Sequence, residues 1–214
     1  TIRHRQGASH PHPFERHIPS ALELPNRKED IPMTAISASA LLREQLANAH
    51  QQLDQLLADV TAEQAHWAPP GKAHPVGALY THILLYEDLI LRFLIQGQPP
   101  LFMADWAGRV GASELPPLPN PERGVPDWSS WARQTRFDLA QLRAYSQAVY
   151  ASSDATLAAL TDDDLSRTVD LGWLGLGQPP LRWVLDRFII GHADAHLGEI
   201  SCVKGLQGLQ GYGF

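Results

Sequence analysis

His192 and His196 stand four residues apart in the sequence. On an α-helix that spacing puts the two side chains about 40° apart and one turn along, so both imidazoles can reach a single ion. His82 lies far upstream, inside an apolar stripe of helical period. Helical bundles build metal sites in this way, from side chains that project inward on facing helices. Three neutral imidazole nitrogens suit a divalent ion, with zinc, nickel and iron ahead of copper, and three protein ligands leave positions for water or substrate. Each residue taken alone has a plainer reading: a lone histidine on a helix face is more often a hydrogen-bonded core residue, and histidine pairs four apart arise by chance. The pair is not the zincin motif, because Ala193 stands where that motif needs glutamate. Asp194 points to the opposite side of the helix from His192. Cys202 lies too far along the helix to share the ion and is expected to be a buried small hydrophobe. Glu199 returns to nearly the face of His192, with a rise of roughly 10 Å from His192 and 4.5 Å from His196. That places it beside an ion but outside the ligand set, as a catalytic candidate that can orient a histidine or take a proton. The alternative for Glu199 is an ion pair with a cation on a neighbouring helix.

The elements that must carry these residues are helices. Leu42, Leu46, Ala49, Leu53, Leu56 and Val60 recur at steps of four and three, predicting one buried stripe on a helix that begins near Ser37. Thr61-Ala62-Glu63-Gln64 reads as a capping box, and Pro69-Pro70-Gly71 breaks the chain. A second helix is predicted from Pro75 to Gln96, with Leu79, His82/Ile83, Tyr86, Leu89/Ile90 and Phe93 on its inner side. A Gly- and Pro-rich stretch then runs to Pro126, the kind of long loop that often lines a site. A third helix is predicted from Asp127 to Ser152 or beyond through Trp131, Thr135, Leu139, Leu142, Tyr145 and Val149. Thr161–Asp164 reads as a further helix start, and residues 168–177 as a short strand or hairpin. The last helix spans Pro180 to Leu206, with Leu185, Phe188, His192, Ala195/His196, Glu199, Val203 and Leu206 inward. Four amphipathic helices predict an all-α, antiparallel four-helix bundle with long inter-helix loops, one of whose connections is not a simple hairpin.

Composition narrows the function classes. The chain has 214 residues and a formal net charge of −6. This acidic balance argues against a nucleic-acid partner and against an anionic membrane surface. No apolar run approaches the roughly 20 residues that span a bilayer. A single cysteine and the lack of an apolar signal region lead us to expect a cytoplasmic protein. Residues 1–32 hold five of the 17 prolines and four of the 10 histidines without helical or strand period. They read as an extension or leader outside the packed domain of residues 33–214, and Met33 as a native start. Trp106 and Trp128 are expected to be exposed, either at a homodimer interface or over the ends of the bundle.

The C-terminal stretch His192-Ala193-Asp194-Ala195-His196-Leu197-Gly198-Glu199-Ile200 resembles the last-helix signature of the DinB-like (YfiT-like) superfamily. Pro75-Val76-Gly77-Ala78-Leu79-Tyr80-Thr81-His82-Ile83 resembles the segment that carries the family's first histidine. Trp67-Ala68-Pro69-Pro70-Gly71 and Leu160-Thr161-Asp162-Asp163-Asp164-Leu165 are similar in character to its connecting segments. The resemblance covers residues 37–207 and departs at Glu199, where many relatives carry glutamine. It implies a four-helix bundle with a three-histidine metal site at His82, His192 and His196. It further implies kinship with bacillithiol- and mycothiol-dependent transferases and isomerases, in which a metal activates a low-molecular-weight thiol. The leading expectation is therefore a metal-dependent enzyme that activates a small thiol for transfer or conjugation to a small-molecule substrate. A metal-dependent hydrolase using water activated by the ion, or a non-catalytic metal- or small-molecule-binding bundle, are the alternatives.

Overall fold

A computed structural model describes residues 36–117 and 127–212. The expectation for residues 1–32 falls outside them. Among the described residues the architecture is helical, with two isolated antiparallel bridges, Ala112 with Phe137 and Thr168 with Pro180. Four long helices make the bundle. We call them α1 (Ala38–Leu57), α2 (residues 76–95), α3 (Leu139–Ala158) and α4 (residues 181–206).

Local sequence sets their ends. The Ser37 hydroxyl accepts from the Ala40 amide and starts α1. Thr61 and Gln64 exchange side-chain and backbone bonds as a full capping box, which opens the short helix Ala62–His66. Gly71, with φ of 79°, turns the chain back after it. Asp138 accepts from the Ala140 and Gln141 amides and starts α3.

The contacts fix the direction of each helix. Asp162, just past α3, accepts from the first amides of α1, Arg43 pairs with Asp154, and Arg143 donates to the Leu57 carbonyl. Thus α1 and α3 run antiparallel. Tyr145 reaches Asp88, and Gln96 reaches Thr156, so α2 and α3 run in the same direction. Tyr86 packs on Phe188 and His82 on His196, which sets α2 and α4 antiparallel. The chain therefore runs up, down, down, up. A parallel step between consecutive helices cannot be made by a tight turn, which is why a long crossover separates α2 from α3.

Several details differ from the sequence reading. The predicted third helix is two helices, Ser129–Gln134 and α3, separated by an extended stretch in which Phe137 bridges to Ala112 and donates its amide to His66 Nε2. The Asp138 cap is the physical reason: its carboxylate takes the first free amides of a new helix. Residues 168–177 form no regular strand, but the segment folds back like a short hairpin: Val169 and Leu171 donate their amides to the Pro179 and Gly177 carbonyls, one bridge joins Thr168 to Pro180, and a 3₁₀ turn at Gly172–Leu174 lies at the tip. Both α2 and α4 widen into π-helical segments, Leu89–Ile95 and Leu185–Ile190, which slip the 3.6-residue register. Phe93 is consequently 60% exposed rather than inward. On α4 the buried line is Ala193, Leu197, Ile200 and Val203, while Ala195, Glu199 and Leu206 are exposed. Cys202, expected to be buried, is also exposed.

Asp88 anchors the crossover to the bundle. Its buried carboxylate accepts from the Leu101 and Phe102 amides at 3.0 and 3.1 Å and from the Tyr145 hydroxyl at 2.7 Å. Removing it leaves three buried donors without an acceptor. Asp88→Ala should lower the unfolding free energy by about 2–4 kcal/mol in urea denaturation, the cost of breaking a buried charged network. A loss below about 0.5 kcal/mol, the range of a surface substitution, would show that the crossover is held by other contacts.

Candidate metal centre

His82 comes from the middle of α2, and His192 and His196 from the first turns of α4 beyond its π segment. The antiparallel α2/α4 register brings them together. His192 Nε2 lies 2.9 Å from His82 Nε2 and 3.2 Å from His196 Nε2. One nitrogen from each histidine lies within 4.8 Å of the others. Ligand nitrogens about 2.0–2.1 Å from a tetrahedral ion stand roughly 3.3 Å apart, so the two Nε2 separations are near those of an ion's ligands and the cluster could hold one.

A different restraint fixes each ring. The His82 imidazole stacks on Trp128, with centroids 4.6 Å apart, and that of His192 on Tyr86 at 4.2 Å. His196 Nδ1 lies 2.7 Å from Glu199 Oε2. The carboxylate can only accept, so Nδ1 donates to it and Nε2 is the nitrogen turned toward the other histidines. Glu199 itself is more than half exposed, and the structure sets it against His196 rather than against an arginine. Burial, reinforced by the neighbouring imidazoles, lowers the pKa of His82 to about 3 and that of His192 to about 2. The two buried rings are thus neutral at physiological pH, the form that donates to a metal.

The surroundings are polar on one side and apolar on the other. His74 stacks on the outer face of Trp128 at 4.2 Å, and its Nδ1 has no hydrogen-bond partner among the described residues. Arg133 holds the loop that carries His74 by donating to the carbonyls of Pro69, Gly71 and Ala73. On the other side a chamber of about 380 Å³ opens against His82 and His192.

Four residues around the triad escaped the sequence reading as site residues: Tyr86, Phe188, Trp128 and His74. The first two carried a usable signal, since Tyr86 follows His82 by four residues and Phe188 precedes His192 by four. Trp128 and Trp106, expected to be exposed, are half-buried and pack against the core. Exposure of these tryptophans therefore gives no argument for a homodimer.

A four-helix bundle with three inward imidazoles on two facing helices defines a class of fold and site. The profile of the DinB superfamily matches residues 45–200, most of the chain, and the protein belongs to that superfamily. Among solved structures it is similar to a conserved protein from Enterococcus faecalis, with 21% identity and a TM-score of 0.67, covering 80% of this chain and 98% of that one. At that identity the likeness speaks for the fold. No curated protein matches the chain. No helix among the described residues is long and apolar enough to cross a membrane.

The lowered pKa values set the pH response of the metal-free protein. Below an unfolded-state pKa of about 6.5 the unfolded chain takes up protons that folded His82 and His192 refuse. The stability they contribute is present above that pH and is lost as pH falls from about 6.5 toward 3, by about 1.4 kcal/mol per pH unit for each histidine. Melting chelator-treated protein from pH 7.5 to 4.5 should show this slope, and His192→Asn should make it shallower. Equal slopes would mean that the buried rings already bind protons in the folded state.

Proposed function

We propose that this protein is a metal-dependent enzyme that activates a small thiol for transfer to, or conjugation with, a second small molecule, the ion being held by His82, His192 and His196. The observation that carries the reading is the convergence of three imidazole nitrogens at ligand spacing, two of them on rings kept neutral by burial. A divalent ion bound there would draw electron density from a thiol sulfur and release its proton near neutral pH.

The chain's own residues supply the remainder. Trp128 and Tyr86 hold the His82 and His192 rings in plane, and Glu199 fixes the tautomer of His196. At the solvent edge, Glu199 would take the thiol proton and pass it to water; its exposure and its contact with His196 support that role. The net reaction forms a carbon–sulfur bond with the thiol's electron pair. The bond from that carbon to its leaving group breaks, and the leaving group departs with the bonding pair and takes up a proton. With three protein ligands, positions remain for the sulfur.

The metal assignment is read directly. Protein purified without a nickel column and loaded with zinc should bind one ion per chain by elemental analysis, and His192→Ala should cut retention at least about tenfold, as loss of a ligand does. Undiminished metal in His192→Ala would remove the assignment.

The role of Glu199 is separable from that of the ligands. Glu199→Gln keeps the shape of the side chain and removes its charge. Metal should stay bound while turnover with a panel of low-molecular-weight thiols falls at least about tenfold. Equal turnover with a small drop in melting temperature would reduce Glu199 to a surface contact. Turnover that needs no thiol would point to hydrolysis, and ligand binding without turnover to a carrier.

A further inference from the structure

The chamber beside the histidines is built for something other than a charged thiol. Its walls come from Leu89 and Ile90 on α2, Phe188 on α4, Trp173 and Leu176 in the 172–177 turn, and Trp128. Among the described residues no lysine, arginine, aspartate or glutamate lines it. Both bundle helices pass it in their π-helical segments, Leu89–Ile95 and Leu185–Ile190, so the wide turns stand where the space opens. The charged and polar groups near the triad, Glu199, His74 and Arg133, are not among its lining residues.

Three physical arguments narrow the occupant. A carboxylate or phosphate carried past the histidines into this chamber would lose its water and meet no cationic side chain among the described lining residues. A ring would bury its area against other rings, and aromatic pairs gain beyond their area in stacked or edge-on arrangements. The volume, about 380 Å³, is somewhat more than twice the roughly 150 Å³ cavity known to hold one benzene, so it suits one or two fused rings. The rim makes the same point from outside. Trp173 and Leu176 are 41% and 45% exposed, an apolar edge that a bound ring would cover.

We infer that this chamber binds the uncharged aromatic part of the second substrate, a flat molecule of one or two rings whose reactive end faces His82 and His192. The direction of the reactive end rests on the metal-dependent reading above; the seat for the ring needs the chamber alone. The polar edge, with Glu199, is left for the thiol, so the two reactants would enter by different edges and meet at adjacent open positions beside the triad.

The test uses the full chain, zinc-loaded and zinc-free, with metal content measured in each preparation. Three hydroxamic acids share one metal-binding head: acetohydroxamate, octanohydroxamate and 2-naphthohydroxamate. On the zinc-loaded protein the naphthyl compound should bind at least about 50-fold more tightly than the acetyl one, from its extra buried apolar area. It should also bind more tightly than the octyl compound. Leu176→Asp, at an exposed position and so compatible with folding, should weaken the naphthyl compound at least about tenfold by setting a charge at the mouth, and leave acetohydroxamate unchanged. The neutral dye N-phenyl-1-naphthylamine should bind the zinc-free protein with one site per chain and lose affinity in the same variant. Protein that keeps its zinc but shows no naphthyl preference, or prefers the octyl chain, overturns the inference. Protein that holds no zinc yet binds the dye at a site weakened by Leu176→Asp keeps the chamber and overturns the metal reading instead.

Discussion

Holding three imidazole nitrogens together, His192 Nε2 at 2.9 Å from His82 and 3.2 Å from His196, is the constraint on which the rest of the site depends. Imidazole nitrogens at this distance have too few protons to satisfy one another, and charging the buried rings is disfavoured by desolvation. The arrangement persists because each ring is pinned from behind: His82 by Trp128, His192 by Tyr86 and His196 by Glu199. Two of the pins are aromatic plates and one is a carboxylate. The geometry is therefore set by the protein alone, and an ion bound there would not have to order the side chains.

The topology serves that preparation. Antiparallel α2 and α4 set the register that brings His82 opposite the His192/His196 pair. The parallel α2/α3 step then forces a crossover, and the crossover supplies Trp128. Its course is tied at several points. Asp88 takes the Leu101 and Phe102 amides, and Trp131 Nε1 donates to the Glu114 carbonyl. The Gly111 carbonyl accepts from the Asp138 amide at 2.7 Å. Gly111 sits at φ of 96°, where a Cβ would press against the backbone of Leu142 and Asp138, so this close approach requires glycine. A connection demanded by chain direction is thereby turned into one wall of the site.

How much of this could be read in the sequence follows from what each signal depends on. The α1 stripe and the capping box at Thr61 and Gln64 were legible because they depend on local periodicity and on side chains a turn apart. The histidine pairing was legible for the same reason within α4, and His82 through its place in the apolar stripe of α2, with the resemblance to a family strengthening the grouping. The π turns were not legible. They are a choice of hydrogen-bond register that any apolar run permits, and they turned Phe93 outward and shifted the buried line of α4 to Ala193, Leu197, Ile200 and Val203. The break before α3 was hidden because the apolar spacing from Trp131 through Leu139 continues across it, although Asp138 stood there as a cap. Trp128 was misplaced because a tryptophan in a loop carries no periodic signal, and its partners, His74 and His82, are distant in sequence.

The position of the site follows from how the core is divided. The buried apolar residues form two clusters, one around Leu79, Ile83, Ala193 and Leu197 and one around Ile90, Leu181, Leu185 and Ile189. Along α2 the seam between them falls at Tyr86, Glu87 and Asp88, and along α4 it falls next to His192. Polar groups concentrate at this level. Glu87 accepts from Ser153 and faces His50 at 3.0 Å, Asp88 holds Tyr145, and the histidine triad lies on the neighbouring turns. Buried polar groups are tolerated where they satisfy one another, and grouping them in one layer leaves both apolar clusters unbroken. At its inner end the layer is closed by complete hydrogen bonding. At the triad the same layer reaches the chamber wall, where His82 and His192 present their rings to space that a ligand can enter.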